Sequence, residues 1–283
     1  RSRVVLLCPD NDAEARTILM LAEKVGILAI RSAQPHGARL SKEPELFEKI
    51  AAAKKQELWI VETPGLAEEE ELRQKGMTVR IIDHHTYQDV DRLTDPDTGK
   101  TKLSSLEQFM ENAEITEDEL SAWGFEPKVI RGVGISDALY IQGLRDAGYT
   151  PEEIKRVSAF VQKLSMEIDP EYELDMAAAE IDWNARVERG GYTVVVSVAD
   201  RDVRGSISAI SIREGVDTHP LIISCRGGEK ITVQNVGPDI IAKLKKNIAG
   251  NTYTFGTGRC WGANNKEQKI RVTLEMVFEA LGI

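Results

Sequence analysis

The sequence predicts an α/β protein built on an open parallel sheet, and three features predict it. Short apolar runs rich in β-branched residues alternate with stretches of helical periodicity through the first half of the chain. Their order is β-α-β-α-β-α-β, which right-handed crossovers turn into a parallel sheet. Three of the strand runs end in acidic residues, and such a fold collects strand ends along one edge, where ligands bind.

Val4-Val5-Leu6-Leu7 is wholly apolar, as a strand buried on both faces requires. It ends in Cys8-Pro9-Asp10-Asn11-Asp12, and a helix begins at Ala13 with Ile18, Leu19, Leu21 and Ala22 on one face. Gly26 closes that helix, and residues 27–30 form the next strand. His36, after Pro35, falls in a loop within reach of the strand ends. A helix over 44–55 leads to a strand at 58–61, where Trp59 belongs to the core, and Glu62-Thr63-Pro64-Gly65 follows. The helix over 68–75 opens on four glutamates, which complement the macrodipole at a solvated N-terminus. Val79, Ile81 and Ile82 then lead into Asp83-His84-His85.

The rhythm changes after residue 85. Asp89, Asp91, Asp95, Pro96, Asp97 and Gly99 make a polar loop, and a helix starts at Ser104-Ser105-Leu106-Glu107 with serine as its N-cap. A Gly-rich apolar segment, 129–139, contains Asp137, which reads equally as a site carboxylate or as a cap or loop residue. Pro151 opens one or two connecting helices that reach Gly190-Gly191. Strands at 192–198, 221–224 and 230–234, a helix at 239–248 and a loop at 254–262 make a second, smaller α/β domain. The expected division is 1–150, a helical connector at 151–190, and 191–283.

Composition narrows the function. The 283 residues are 42% hydrophobic and 29% charged, ordinary for a globular protein with a sizeable core. No apolar run approaches the roughly 20 residues of a membrane span, and Arg1 opens no signal-peptide pattern. Three scattered cysteines without C-x-x-C spacing argue against a disulfide framework or a structural zinc site and point to the cytoplasm. A net charge of −10 disfavours a broad duplex-DNA footprint.

The four histidines include one adjacent pair, His84-His85, delivered with Asp83 at a strand end. Imidazole nitrogen and carboxylate oxygen together suit manganese, zinc or iron. Alternate strand residues point to opposite faces, so Asp83 and a histidine share a site when the backbone turns there. An isolated Asp-His-His also fits a polar loop. The convergence of Asp10, Asp12 and Glu62 with it on the same edge makes it a candidate metal centre, and Asp137, under the first of its two readings, is a fourth carboxylate there.

In this order, the motifs resemble the DHH phosphoesterase family. They are Asp10-x-Asp12 after the first strand, the acidic Glu62 after a later one, Asp83-His84-His85, and Asp137, with Ser104-Ser105 at a helix start between the third and fourth. The resemblance covers essentially the whole chain and suits the short two-domain oligonucleotide phosphodiesterases. It implies two manganese ions, magnesium being an alternative, with Glu62 bridging. Asp12, Glu62, His84 and Asp137 would hold one ion, and Asp10, Glu62 and Asp83 the other. Asp83, His84 and His85 would carry the catalysis, with His85 near the substrate phosphate.

It also implies a C-terminal domain that binds a nucleotide or short single-stranded oligonucleotide through Arg226, Gly256, Gly258 and Arg259. A hairpin turn is the plainer reading of Gly227-Gly228. A homodimer is left open. Three departures stand out: Leu6 and Cys8 occupy the positions of an expected upstream histidine, Glu62 replaces aspartate, and Arg259 replaces histidine. Cys8 is either a soft ligand or an inert core thiol, and the second ion site is expected to be weak. These departures motivate a second reading, a catalytically silent relative that binds nucleotide or a nucleic-acid-processing partner. Pyrophosphate or polyphosphate hydrolysis is disfavoured, because no dense Lys/Arg cluster is present.

Overall fold

The computed structural model describes residues 1–266 and 268–283. They form two compact α/β units, Arg1–Ala138 with Lys163–Ile168, and Leu139–Gln162 with Asp169–Ile283.

In the first unit the chain runs β1 (Val4–Pro9), α1 (Ala13–Lys24), β2 (Leu28–Ser32), α2 (Leu46–Ala53), β3 (Glu57–Val61), α3 (Leu66–Gln74) and β4 (Thr78–Ile82). The four strands are parallel in the order β2-β1-β3-β4. β1 is buried along its length, as its unbroken apolar run requires. From β1 the chain steps outward to β2 and then returns past β1 to β3. The sheet therefore has its topological switch between β1 and β3, whose carboxyl ends deliver Asp10–Asp12 and Glu62.

Side-chain alternation gives the sheet two apolar faces. Val5, Leu7, Leu58 and Ile60 pack with Leu46, Ile50 and Leu72 of α2 and α3. On the opposite face Trp59 meets Phe109 edge-on at 5.8 Å. Phe109 belongs to α4 (Ser105–Asn112), whose N-cap is Ser104 as the sequence predicts, its hydroxyl accepting the Glu107 amide at 3.2 Å. After α5 (Glu117–Ala122) comes α6 (Pro127–Asp146), interrupted at Tyr140 by φ 61° and ψ −168°.

Two readings of this half need correction. The helix expected from residue 44 starts at Leu46, after a single 3₁₀ turn at Leu40–Lys42. Pro44 stays outside the helix, and Glu45 takes the left-handed conformation. Of the two readings of Asp137, the cap or loop residue is the one corrected, since Asp137 lies inside α6. Gly134 of this segment lets α6 pack closely on Ser104 and Leu106.

The second unit contains α8 (Tyr172–Asn184), β5 (Val187–Arg189), β6 (Tyr192–Val196), α9 (Arg204–Glu214), β7 (Leu221–Cys225), β8 (Lys230–Gln234), α10 (Pro238–Asn247), β9 (Thr252–Phe255), β10 (Cys260–Asn264) and α11 (Leu274–Leu281). α7 (Pro151–Ile168) precedes these elements and contributes residues to both units. The sheet order is β5-β6-β7-β8-β10-β9. β6 and β7 are parallel across α9, and the other pairings are antiparallel. One face packs Ile222, Val233 and Trp261 against α10 and α11. The other packs Val195, Ile223 and Cys225 against Ala179, Trp183, Ile207 and Ile210 of α8 and α9.

The loop expected at 254–262 is instead a β-hairpin, with Phe255 opposite Cys260 and a Gly256–Arg259 turn. Gly256 and Gly258 have positive φ in that turn, as does Thr257. Arg226-Gly227-Gly228 turns between β7 and β8, the plainer of its two readings. No helix among the described residues is long and apolar enough to cross a membrane.

Candidate metal centre

The parallel sheet ends in a cleft of about 260 Å³ lined by Asn11, Asp12, His36, Gly37, Glu62, His85, Tyr87 and Asp137. All eight residues belong to the first unit. Each is brought there by a chain turn just past a strand end or by α6. Glu62 follows β3 with φ 44°, a left-handed residue that swings the chain away from the sheet direction. Its amide still bonds the Ile82 carbonyl at 3.1 Å, so the turn is anchored to β4.

Glu62, His84, His85 and Asp137 present one ligand atom each, all within 4.8 Å of one another. His84 Nε2 is 3.2 Å from Asp137 Oδ2. On its other side, His84 Nδ1 lies 3.4 Å from Glu62 Oε1 and 3.8 Å from Glu14 Oε2. The Ser105 amide points at Nδ1 from 3.2 Å and the Ser105 hydroxyl lies at 3.1 Å. With its proton on Nε2 the ring bonds Asp137. The Ser105 amide donates to Nδ1, which favours this tautomer.

His85 is held differently. Its Nδ1 is 3.2 Å from Asp83 Oδ1, which also accepts the His85 amide at 3.0 Å. Asp83 Oδ2 accepts the Tyr87 hydroxyl at 3.0 Å, and the Asp83 carbonyl accepts Gln108 Nε2 at 3.1 Å. Burial lowers the His85 pKa, but the Asp83 bond and the charges of Glu62, Asp83 and Asp137 outweigh it and raise it to about 9. At neutral pH this imidazole is a cation bordering the cleft. Burial and the Asp83 carboxylate both raise the Tyr87 hydroxyl, so it remains a donor.

The carboxylates are under-compensated. Among the described residues, Glu14, Glu62 and Asp137 have no Lys or Arg partner within ion-pair distance. Glu14 is buried; its Oε1 accepts the Leu106 amide at 2.9 Å, while Oε2 has no donor. Glu62 Oε1 likewise has none. Burial raises the Glu14 carboxyl, reinforced by the nearby Asp137 and Glu62 carboxylates. Asp12 caps α1, accepting the Ala15 amide at 2.8 Å. Burial, then the charges of Asp137 and Glu62, push its carboxyl up to about 7. Either protons or a cation must relieve this cluster.

The remaining sequence candidates fall elsewhere. Asp10 is engaged by Arg16 Nε at 2.6 Å and Arg31 Nη1 at 3.3 Å, and it stands outside the four-ligand cluster. Asp83 also stands outside it, bonded to His85 and Tyr87. Cys8 is a buried thiol donating weakly to the Pro9 and Ala15 carbonyls. Burial, then the nearby carboxylates led by Glu62, raise its pKa, so it stays protonated. In the second unit, Arg226 pairs with Glu229 at 3.1 Å and Arg259 with Asp146 at 2.7 Å, beside Gly256 and Gly258 of the hairpin turn.

Sequence reasoning passed over Glu14, Tyr87 and Gln108, and took Ser105 as part of a helix start only. Glu14 did leave a signal, a carboxylate between two alanines in the first turn of a helix that follows a buried strand. Tyr87 and Gln108 left none, because their roles depend on the chain path after residue 85.

No protein-family model matches the chain, and no curated protein does. Among solved structures it is similar to exonuclease RecJ bound to manganese, at 14% identity over 99% of this chain and 88% of that one, with a TM-score of 0.39. It is similar to a putative family II inorganic pyrophosphatase of Methanococcus jannaschii at 13% identity, with 99% of each chain covered and a TM-score of 0.29. The pGpG-specific phosphodiesterase PggH of Vibrio cholerae gives 10% identity, 99% coverage of each chain and a TM-score of 0.35.

Proposed function

We propose that this chain is a divalent-metal-dependent phosphoesterase that hydrolyses phosphodiester or phosphomonoester bonds of nucleotides or short single-stranded oligonucleotides. The observation that carries the reading is the uncompensated cluster of Glu62, His84 and Asp137, in which a nine-tenths buried Glu62 oxygen has no donor. Isolated buried carboxylates are costly, and mixed imidazole and carboxylate donors suit manganese better than magnesium. Glu62, His84 and Asp137 would hold the ion, with Asp12 beside them. When bound, such an ion polarises a phosphoryl oxygen and makes hydroxide available at neutral pH.

The chain's own residues supply the rest. His85, protonated and fixed by Asp83, binds a phosphate oxygen and gives its proton to the departing oxygen. Ser105 orients His84 through its amide and hydroxyl at Nδ1. The second unit, 139–162 with 169–283, is proposed as the substrate-binding domain. Arg259 is paired with Asp146 at the surface, where an ion pair is worth about 0–1 kcal/mol, so exchanging Asp146 for phosphate costs little.

The test is hydrolysis of dinucleotides, mononucleotides and phosphomonoesters with manganese present, wild type beside His84→Ala. Manganese-stimulated turnover that falls about 100-fold or more in the variant supports the reading. No turnover on any substrate favours a nucleotide-binding protein without catalysis. The ion pairs that occupy Asp10 favour that second reading.

A further inference from the structure

Two carboxylates that the motif resemblance assigns to a second ion are committed elsewhere. Asp10 is engaged by Arg16 and Arg31, and Asp83 by the His85 amide and the Tyr87 hydroxyl. A different set of donors faces the cleft at the end of β1. His36 Nδ1 stands 3.8 Å from Asp12 Oδ2, and both residues line the cleft with Asn11. That separation is too long for a hydrogen bond. It does match two ligands of one ion, because metal–ligand bonds of about 2.1 Å put donor atoms roughly 3–4.3 Å apart.

Two further atoms point to a missing partner. Asn11 Oδ1 is buried without a donor, while Asn11 Nδ2 donates to the Gln34 carbonyl at 3.4 Å. The Glu62 side chain, 10% exposed, lines the same cleft with Oε1 unpartnered. An ion at this place would give the Asn11 oxygen a positive partner.

The loop that presents His36 is fastened. Gln34 Nε2 donates to the Arg39 carbonyl at 3.1 Å, and Gln34 Oε1 accepts the Arg39 amide at 3.0 Å. Gln34 Nε2 also reaches Glu43 Oε2 at 3.0 Å, which the Ser32 hydroxyl bonds at 2.5 Å. Residues 34 and 39 are thus clamped together, and His36 sits between them beside Gly37, whose φ of 83° suits glycine.

We propose that His36, Asp12 and the amide oxygen of Asn11 form a second divalent-cation position beside Glu62, with the imidazole supplied by the loop after β2 instead of by β1. The proposal rests on the reading of Glu62, His84 and Asp137 as the first position. Its donors are one imidazole, one carboxylate and one amide oxygen, a set that takes manganese or another first-row divalent ion.

The experiment is manganese titration by calorimetry and electron paramagnetic resonance on the full chain, wild type beside His36→Ala and His36→Asp. His36 is 76% exposed, so its removal leaves the core intact, which thermal melting without metal verifies. The expected wild type binds two ions with an exchange-coupled spectrum. His36→Ala binds the second ion at least about 10-fold more weakly and shows an uncoupled six-line spectrum, while His36→Asp recovers part of the coupling. Two coupled ions of unchanged affinity in His36→Ala would overturn the role of His36 and leave the metal centre standing. A wild type with one ion overturns the second position alone. A wild type with none overturns the first position too.

Discussion

The Tyr87 hydroxyl donates to Asp83 Oδ2 at 3.0 Å, and the same carboxylate holds His85 through its other oxygen. Asp83 is fully buried, so these bonds replace the water it lost. Tyr87→Phe leaves Oδ2 without a donor, and an unsatisfied buried acceptor costs about 1–3 kcal/mol. The expected outcome is a lower urea midpoint together with a shifted His85 titration by NMR. An unchanged midpoint and an unchanged His85 pKa would separate Tyr87 from the site.

Glu62→Gln is expected to stabilise the metal-free protein. The substitution removes a negative charge that helps to hold the Asp12 and Glu14 carboxyls above their ordinary range. A gain of about 1 kcal/mol raises the melting temperature by roughly 2–4 °C in a protein of this class. The same variant should lose the stabilisation that manganese gives the wild type, because a neutral amide is a poorer ligand. Thermal melts in chelator and in manganese check both halves. A destabilised metal-free variant would mean that Glu62 is already compensated.

The strands of the first unit were legible because β1 and β3 are unbroken apolar runs, and burial on both faces leaves few alternatives for such runs. Asp12, Glu62, His84 and His85 were legible as a group because a parallel sheet gathers the residues that follow its strands. The partners of Asp10 were not legible. Arg16 lies one turn into α1 and Arg31 near the end of β2, and the sequence does not fix whether either guanidinium folds back onto Asp10. The hairpin of β9 and β10 was not legible, because glycines mark open loops and tight hairpins alike.

Metal-free protein is expected to lose stability as pH rises from 5 to 9. Asp12 titrates near 7 in the folded chain against an ordinary 3.8, so folding retains a proton that the unfolded chain has released. Its contribution is complete below about pH 4 and is lost as pH rises through 7. His85 titrates near 9 against 6.5, and its contribution is complete below 6.5 and lost as pH rises through 9. Both act in the same direction. Lowered carboxyls such as Glu43 have finished titrating below this window. Urea midpoints in chelator at pH 5, 7 and 9 should therefore fall in sequence, and the gap to the manganese-loaded protein should widen. A flat or rising series would contradict the raised values.

Gly134→Ala tests how α6 meets the start of α4. In an exposed helix interior this change gains up to about 1 kcal/mol, because alanine is the better helix former. At Gly134 the new methyl would land on Ser104 Oγ, within 3.1 Å of Ser104 Cβ and 3.3 Å of Leu106 Cβ. Ser104 Oγ is the cap of α4, so moving it releases the Glu107 amide, and the Leu106 amide that holds Glu14 shifts with it. Overpacking of this kind costs about 1–3 kcal/mol, and losing a cap costs about 1 more. The sign is therefore opposite to the helix-propensity expectation. Since Ser105 bonds His84 from the same turn, manganese affinity at the first position should weaken along with stability. A stabilised variant with unchanged manganese binding would show that α4 yields without disturbing His84.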